Sequence, residues 1–262
     1  MAATNLKRLF ADRRVLKVGT AVFEFNSPGL GQIVGAAGAD FVFLDMEHSG
    51  FTIGDVKRSI TGFRAGNVPV IVRPPTSQYH HIARALDAGA DAIMIPMVGS
   101  AMEAEHIVNS VKYPPMGNRG VAPGLAHDRY VPGDVAKSLA EANDRTACIV
   151  MIETKDGLTN VDAICAVEGV DAVWIGEFDL SAQLGVPGDF THPTFRSAKG
   201  EIEAAAKKHD KALCCIGMTP ESAVALFNQG YDVVCYSGDV WIYQQAMMNG
   251  ISHIRSQCTT TQ

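Results

Sequence analysis

No apolar run in this 262-residue chain approaches the length of a membrane span, which excludes a helix that crosses a bilayer. Basic residues are not in surplus either. The net charge is -6, so the electrostatic footprint of a nucleic-acid-binding protein is missing. Six cysteines form no CxxC pair, and Cys148, Cys214, Cys215 and Cys235 fall inside apolar, strand-like runs. That usage argues against a disulfide framework and fits a reducing, cytoplasmic setting. Lys7, Arg8, Asp12, Arg13 and Arg14 are followed by no apolar core of signal-peptide length, so no leader is expected. Charged residues make up only 19% and apolar ones 47%, a balance that excludes disorder and supplies a large core. No GxGxxG follows the first apolar run, and Gly29-Leu30-Gly31 is too short to replace it, which weighs against a dinucleotide-binding fold.

What is present is a rhythm. A small-residue helix end, a Gly-x-Asp and an apolar run recur at Gly38-Ala39-Asp40, Gly89-Ala90-Asp91, Gly169-Val170-Asp171 and Gly230-Tyr231-Asp232. Glycine there closes a helix in the left-handed conformation, and a strand begins two residues later. The runs that follow start at Phe41, Ala92, Ala172 and Val233 and are continuously apolar, as parallel strands covered on both faces require. Leu16 to Phe23, Val68 to Val72, Cys148 to Ile152 and Ala212 to Ile216 complete a set of eight. Helical periodicity falls over 53–66, 78–88, 101–112, 157–168, 194–209, 219–229 and 239–249. Eight strands alternating with helices predict an α/β fold, a single (β/α)8 barrel over residues 1–255 with a loose tail over 256–262. Residues 97–147 form a connection too long for the pattern, rich in Gly and Pro around Tyr113-Pro114-Pro115-Met116-Gly117, and such inserts carry function or subunit contacts.

In a barrel the C-terminal strand ends form the active face. Strand two ends in Asp45-Met46-Glu47-His48, strand three in Arg73, strand five in Glu153, and strand six leads through Gly176-Glu177-Phe178 to Asp179. Glu153 and Asp179 are costly where they stand unless they are paired in salt bridges or bind a cation, and a cation explains both at once. Their hard oxygen donors favour Mg2+, Mn2+ or Co2+ over a structural zinc, and two carboxylates leave positions open for water and a chelating substrate. His48 is the natural general base, with Asp45, Glu47 or Asp87 to orient it. Arg73 offers a fork of donors to an oxyanion, and Gly176 with the amides of Phe178 and Asp179 offers a backbone nest to a carboxylate. The Gly-x-Asp aspartates lie at the opposite face and read as structural caps. No lysine stands at a strand's C-terminal end, so Schiff-base chemistry lacks its nucleophile.

These segments together resemble the HpcH/HpaI aldolase family. The resemblance is carried by Phe43-Leu44-Asp45-Met46-Glu47-His48, Val72-Arg73-Pro74-Pro75, Leu86-Asp87-Ala88-Gly89-Ala90-Asp91 and Ile95-Pro96-Met97-Val98. It continues through Tyr113 to Gly120, Met151-Ile152-Glu153-Thr154 and Ile175 to Ser181, in order, from about residue 5 to about residue 250. The resemblance implies a barrel that assembles as a hexamer, a trimer of dimers exchanging their last helices. It also implies a divalent metal on Glu153 and Asp179 that chelates pyruvate, with Arg73 at the enolate oxygen and His48, partnered by Asp87, handling protons. The long insert would then frame the aldehyde end. The chain departs from many relatives in carrying Glu177 where they have Pro, Met151 where they have Gln, and an altered segment over Val121 to His127.

The function expected on these grounds is reversible, metal-dependent cleavage of a 4-hydroxy-2-oxo acid into pyruvate and an aldehyde, with neither nucleic acid nor membrane as partner. The competing expectations are a CoA-thioester lyase of the citrate-lyase-like group and a non-catalytic oxo-acid-binding barrel. The first needs a cationic surface for the CoA phosphates, and no Arg/Lys cluster lies at the strand ends.

Overall fold

The Gly-x-Asp repeat works as a double latch in the computed structural model, which describes residues 5–13 and 15–258. Asp91 donates its N–H to the Val70 carbonyl (2.9 Å) and accepts the Val70 N–H on its carboxylate (2.9 Å). Asp40 does the same with Val18, Asp171 with Cys148 and Asp232 with Leu213, at 2.8–3.0 Å. Each aspartate thus ties the start of its own strand to the start of the strand before it. The glycine two residues earlier is left-handed at all four places; at Gly89 φ is 112°, which a side chain would oppose. These aspartates are structural caps, as expected.

The strands so latched are β1 (Lys17–Val22), β2 (Phe41–Asp45), β3 (Val70–Arg73), β4 (Ala92–Ile95), β5 (Ala147–Ile152), β6 (Ala172–Ile175), β7 (Ala212–Gly217) and β8 (Val233–Gly238). They pair in sequence order, all parallel, and β8 closes on β1. The helices are α1 (Leu6–Ala11), α2 (Leu30–Ala36), α3 (Ile53–Ala65), α4 (Tyr79–Ala88), α5 (Ala101–Val111) and α6 (Val135–Arg145). They continue with α7 (Lys155–Thr159), α8 (Val161–Ala166), α9 (Glu177–Gln183), α10 (Pro193–Lys208), α11 (Pro220–Asn228) and α12 (Asp239–Gln257). This is the expected (β/α)8 barrel.

Alternate residues of each strand face opposite ways, so the barrel has two cores. Phe41, Phe43, Ile71, Met94, Ile149 and Trp174 fill the interior, while Val42, Leu44, Val72, Ile93, Val150 and Val173 pack under the helices. Leu6 and Phe10 of α1 join the interior cluster, both at most 2% exposed, and α1 thereby plugs the barrel. α1 is not visible as a periodic segment in the sequence, because six residues cannot display a helical period.

Three further differences bear on function. The segment read as one helix over 157–168 is two short ones, α7 and α8. The last helix continues to Gln257, beyond the limit of 249 and across the expected domain edge at 255; residues 259–262 of the expected tail lie outside the described residues. The connection 97–147 contains α5, α6 and a 3-10 turn at Ala126–Asp128, and side-chain hydrogen bonds pin it. Tyr113 and Asn143 exchange two hydrogen bonds (2.8 and 3.0 Å), and the fully buried Lys112 donates to the Asn143 and Thr146 carbonyls. No described helix is long and apolar enough to cross a membrane.

Candidate active site

Strand register builds the centre. Asp45 and Arg73, the last residues of β2 and β3, are direct neighbours across the ladder. Their side chains meet in a two-point ion pair, Arg73 Nε to Asp45 Oδ1 at 2.7 Å and Nη2 to Oδ2 at 2.9 Å, with Asp45 fully buried and Arg73 5% exposed. The same carboxylate accepts the N–H groups of Glu47 (3.0 Å) and His48 (3.1 Å), so it fixes the turn that carries the histidine. Glu47 closes the group, its Oε2 lying 3.1 Å from Arg73 Nη1 and 3.7 Å from His48 Nε2. Burial pulls the Arg73 guanidinium down, but its hydrogen bonds to Asp45 and the charges of Asp45, Glu47 and Glu153 outweigh this and raise it above its ordinary value. Arg73 is therefore a permanent cation.

Glu153 follows β5 directly and is 2% exposed. Its Oε1 accepts the Met97 N–H at 2.7 Å, and Met97 adopts a left-handed φ of 59° at that position. A non-glycine residue held there marks a constrained site. Burial pushes the Glu153 carboxyl up to about 7, opposed by the Met97 amide, with Asp179 and Glu47 pushing the same way as burial. Burial likewise raises Glu47. Because Ile152 and Ile175 are in register, Glu153 stands beside Gly176, and a Cβ at 176 would collide with its Oε2. The Gly176 N–H is already given to the Ile152 carbonyl at 3.2 Å, so this glycine supplies room rather than a nest donor.

Asp179 lies on the first turn of α9, not on the end of β6, and is exposed. Glu177 begins the same helix but turns to Lys199 of α10 (3.1 Å), with both side chains at most 16% exposed. His48, Arg73, Glu153, Gly176, Phe178 and Asp179 all line one cavity of about 550 Å³ at the C-terminal mouth. Asp87 does not. It accepts a hydrogen bond from Arg119 at 2.6 Å and lies 3.9 Å from His127, while the described ion-pair partner of His48 is Glu47. No described residue of the 97–147 connection lines the cavity, so within one chain it does not frame the site.

A divalent cation fits this donor set. Glu153 Oε1 has one amide partner, and the neighbouring carboxylates leave the pair short of positive charge. Among the described residues no group of three His, Cys, Asp or Glu side chains gathers as a ligand cage, so a cation here has two protein carboxylates at most and several open positions.

Asp239, Phe23, Glu24 and Trp241 also shape the site, although the sequence pattern does not mark them as functional. The Asp239 carboxylate accepts the N–H groups of Phe23, Glu24 and Phe25 at 2.7–3.0 Å, fixing the loop after β1. Phe23 and Glu24 line the cavity as a result, as does Trp241 of α12. Only Asp239 carries a positional signal: it follows β8 just as Glu153 follows β5.

A closed parallel barrel with carboxylates, a buried arginine and a histidine gathered at the C-terminal mouth is the architecture of a TIM-barrel enzyme. The family model described as HpcH/HpaI aldolase/citrate lyase matches residues 23–241. The 2-keto-3-deoxy-L-rhamnonate aldolase of Klebsiella pneumoniae is 31% identical over 237 residues, 90% of this chain and 88% of that protein. The 5-keto-4-deoxy-D-glucarate aldolase of the same organism is 33% identical over 215 residues, 82% of this chain and 83% of that protein. The crystal structure of an HpcH/HpaI aldolase from Desulfitobacterium hafniense matches with a TM-score of 0.91 at 30% identity, covering 97% of each chain. The chain belongs to the HpcH/HpaI aldolase/citrate lyase family and is an aldolase-type carbon–carbon lyase.

Proposed function

We propose that this lyase cleaves 4-hydroxy-2-oxo acids reversibly to pyruvate and an aldehyde, using Mg2+, Mn2+ or Co2+ held by Glu153 and Asp179. The carrying observation is Glu153, a buried carboxyl pushed up to about 7 in the same cavity as Asp179, Arg73 and His48. The Met97 amide and Arg73 favour its charged form but are outweighed by burial and the neighbouring carboxylates, and a cation would supply the missing charge. When bound, the cation supplies Lewis acidity toward the carboxylate and 2-oxo oxygens of the substrate.

The chain's own groups do the rest. Arg73, locked by Asp45, faces the oxygen on which negative charge develops as the C3–C4 bond breaks. His48 takes the proton of the 4-hydroxyl, and Glu47 at 3.7 Å steadies the imidazolium that results. Run backwards, the same groups add pyruvate to an aldehyde. Asp87 is 2.6 Å from Arg119 of its own chain, so in this reading it serves His48 only from a neighbouring copy. The exposed apolar residues of α12, including Tyr243, Met248, Ile251 and Ile254, support a hexamer in which dimers exchange this helix. All six cysteines are free, and five are buried, which supports a cytoplasmic location for a single catalytic barrel domain.

The CoA-thioester alternative lacks a phosphate site: Arg73 is the sole Lys or Arg among the described cavity residues, and Glu24, Glu177 and Asp179 share the lining. The test is to incubate the full-length protein with pyruvate, a panel of aldehydes and each cation, with an EDTA control. Aldol product that vanishes with EDTA and returns with Mn2+ is expected. Product formation unaffected by EDTA overturns the metal assignment.

A further inference from the structure

The cavity carries a continuous apolar stretch beside its charged groups. Arg73 lies 5.2 Å from the Phe43 ring centroid, Phe43 contacts Phe23 edge-on (6.0 Å), and Phe23 continues to Trp241 (5.0 Å). This aromatic ridge runs from the arginine toward α12, and Ile216, Met218 and Val240 line the same cavity. Phe178, on the first turn of α9, is held edge-on to Phe190 at 5.1 Å and lines the cavity while 58% exposed. An apolar wall of this size binds ligand by burying its own surface, and it penalises groups that lose hydrogen bonds to water.

The charges point the same way. Arg73, the sole Lys or Arg in the described lining, is already held by two Asp45 oxygens and by Glu47. Lys199 reaches only as far as Glu177 and is not part of the lining. Glu24 is exposed in the loop fixed by Asp239 and presents a carboxylate with no described side-chain partner. Within one chain, a second carboxylate on the substrate would find no counter-ion among the cavity residues and would meet one or more like charges.

Resting on the pyruvate-aldolase reading, we propose that the aldehyde partner is uncharged and apolar, an alkyl or aryl aldehyde, and that Phe23, Met218 and Trp241 select it. This separates the chain from relatives named for the sugar acids 2-keto-3-deoxy-L-rhamnonate and 5-keto-4-deoxy-D-glucarate. The step balances without an oxidant or reductant. The C3–C4 bond breaks, its electron pair stays on C3 as the enolate, the 4-hydroxyl proton passes to His48, C4 leaves as the aldehyde carbon, and protonation of C3 yields pyruvate.

The test uses the full-length protein with Mn2+ and compares kcat/KM for addition of pyruvate to pentanal, benzaldehyde, glyceraldehyde and succinic semialdehyde. Pentanal or benzaldehyde should exceed the other two by about 10- to 100-fold, the discrimination an apolar pocket achieves. Exchange of the pyruvate methyl protons with D2O, followed by NMR, reports the pyruvate half independently. Exchange with a preference for glyceraldehyde or succinic semialdehyde, or exchange with no addition to the apolar aldehydes, overturns the selection but leaves the pyruvate half standing. Absence of exchange overturns both. In Glu24→Arg, the ratio for succinic semialdehyde over pentanal should rise at least about 10-fold, because a counter-ion now faces the distal carboxylate. An unchanged ratio refutes the role of the acidic mouth.

Discussion

Replacing Glu153 by Gln should make the metal-free protein more stable at neutral pH while abolishing its response to metal. The carboxyl titrates at about 7 in the folded chain against an ordinary value of 4.5, and burial is the main cause. Between those values the folded state holds a proton that the unfolded chain has already released. Stability from this group is therefore full below pH 4.5 and falls as pH rises to about 7. At about 1.4 kcal/mol per pH unit, the loss reaches on the order of 3 kcal/mol. Glutamine matches the protonated form in shape and avoids that loss. Urea melts of both proteins in EDTA, at equal concentration, should coincide near pH 4.5 and separate by about 2–3 kcal/mol at pH 8, with the variant more stable. Added Mn2+ should then raise wild type and leave the variant unmoved, since binding to the folded state alone is what shifts the melt. A variant less stable than wild type at pH 8, or a gap independent of pH, would refute the view of Glu153 as a charge awaiting a cation.

Three other substitutions probe the surroundings. Gly176→Ala should weaken Mn2+ binding at least about 10-fold in a calorimetric titration, because the new methyl drives Glu153 from its place; unchanged affinity would free the glycine of that role. His48→Ala should slow turnover by about 10²- to 10⁴-fold while the Mn2+ EPR titration stays as in wild type. Turnover near the wild-type rate would exclude it as the base. Lys199→Met should cost about 2–4 kcal/mol by stranding Glu177, and Glu177→Gln in the same chain should recover part of it. Additive losses in the double-mutant cycle would mean that the two side chains do not depend on each other.

The barrel was legible because the Gly-x-Asp latch uses short-range chemistry that repeats. Helix end, left-handed glycine, aspartate and strand occupy adjacent residues, so four copies expose the period without any distant contact. Glu153 was legible for a related reason: it is the first polar residue after an apolar run. Asp179 was legible as a carboxylate beyond strand six, but the helix that carries it was not, since Glu177–Gln183 makes fewer than two turns and shows no periodicity of its own. Asp87 shows the opposite limit. Its place in α4 is local information, whereas its engagement with Arg119, 32 residues away, depends on how the long connection packs. Glu177 stands out in the sequence where many relatives have Pro, but its neutralisation by Lys199 is a helix-to-helix contact that spacing cannot reveal.

The two halves of the cavity also have different anchors, and this bears on how such a site changes. Asp45 secures Arg73 and the His48 turn through strand register, and Glu153 stands where β5 and β6 are in register. Moving any of these disturbs the barrel itself. Phe23 and Glu24 instead sit on a loop held from outside the ladder, by three amides on the Asp239 carboxylate. Side chains on that loop can be exchanged while those amides stay in place, because backbone rather than side chains makes the bonds. Variation there alters what lies opposite the oxo acid without moving the groups that handle it. The chemistry of carbon–carbon cleavage and the choice of aldehyde are therefore separable in this chain.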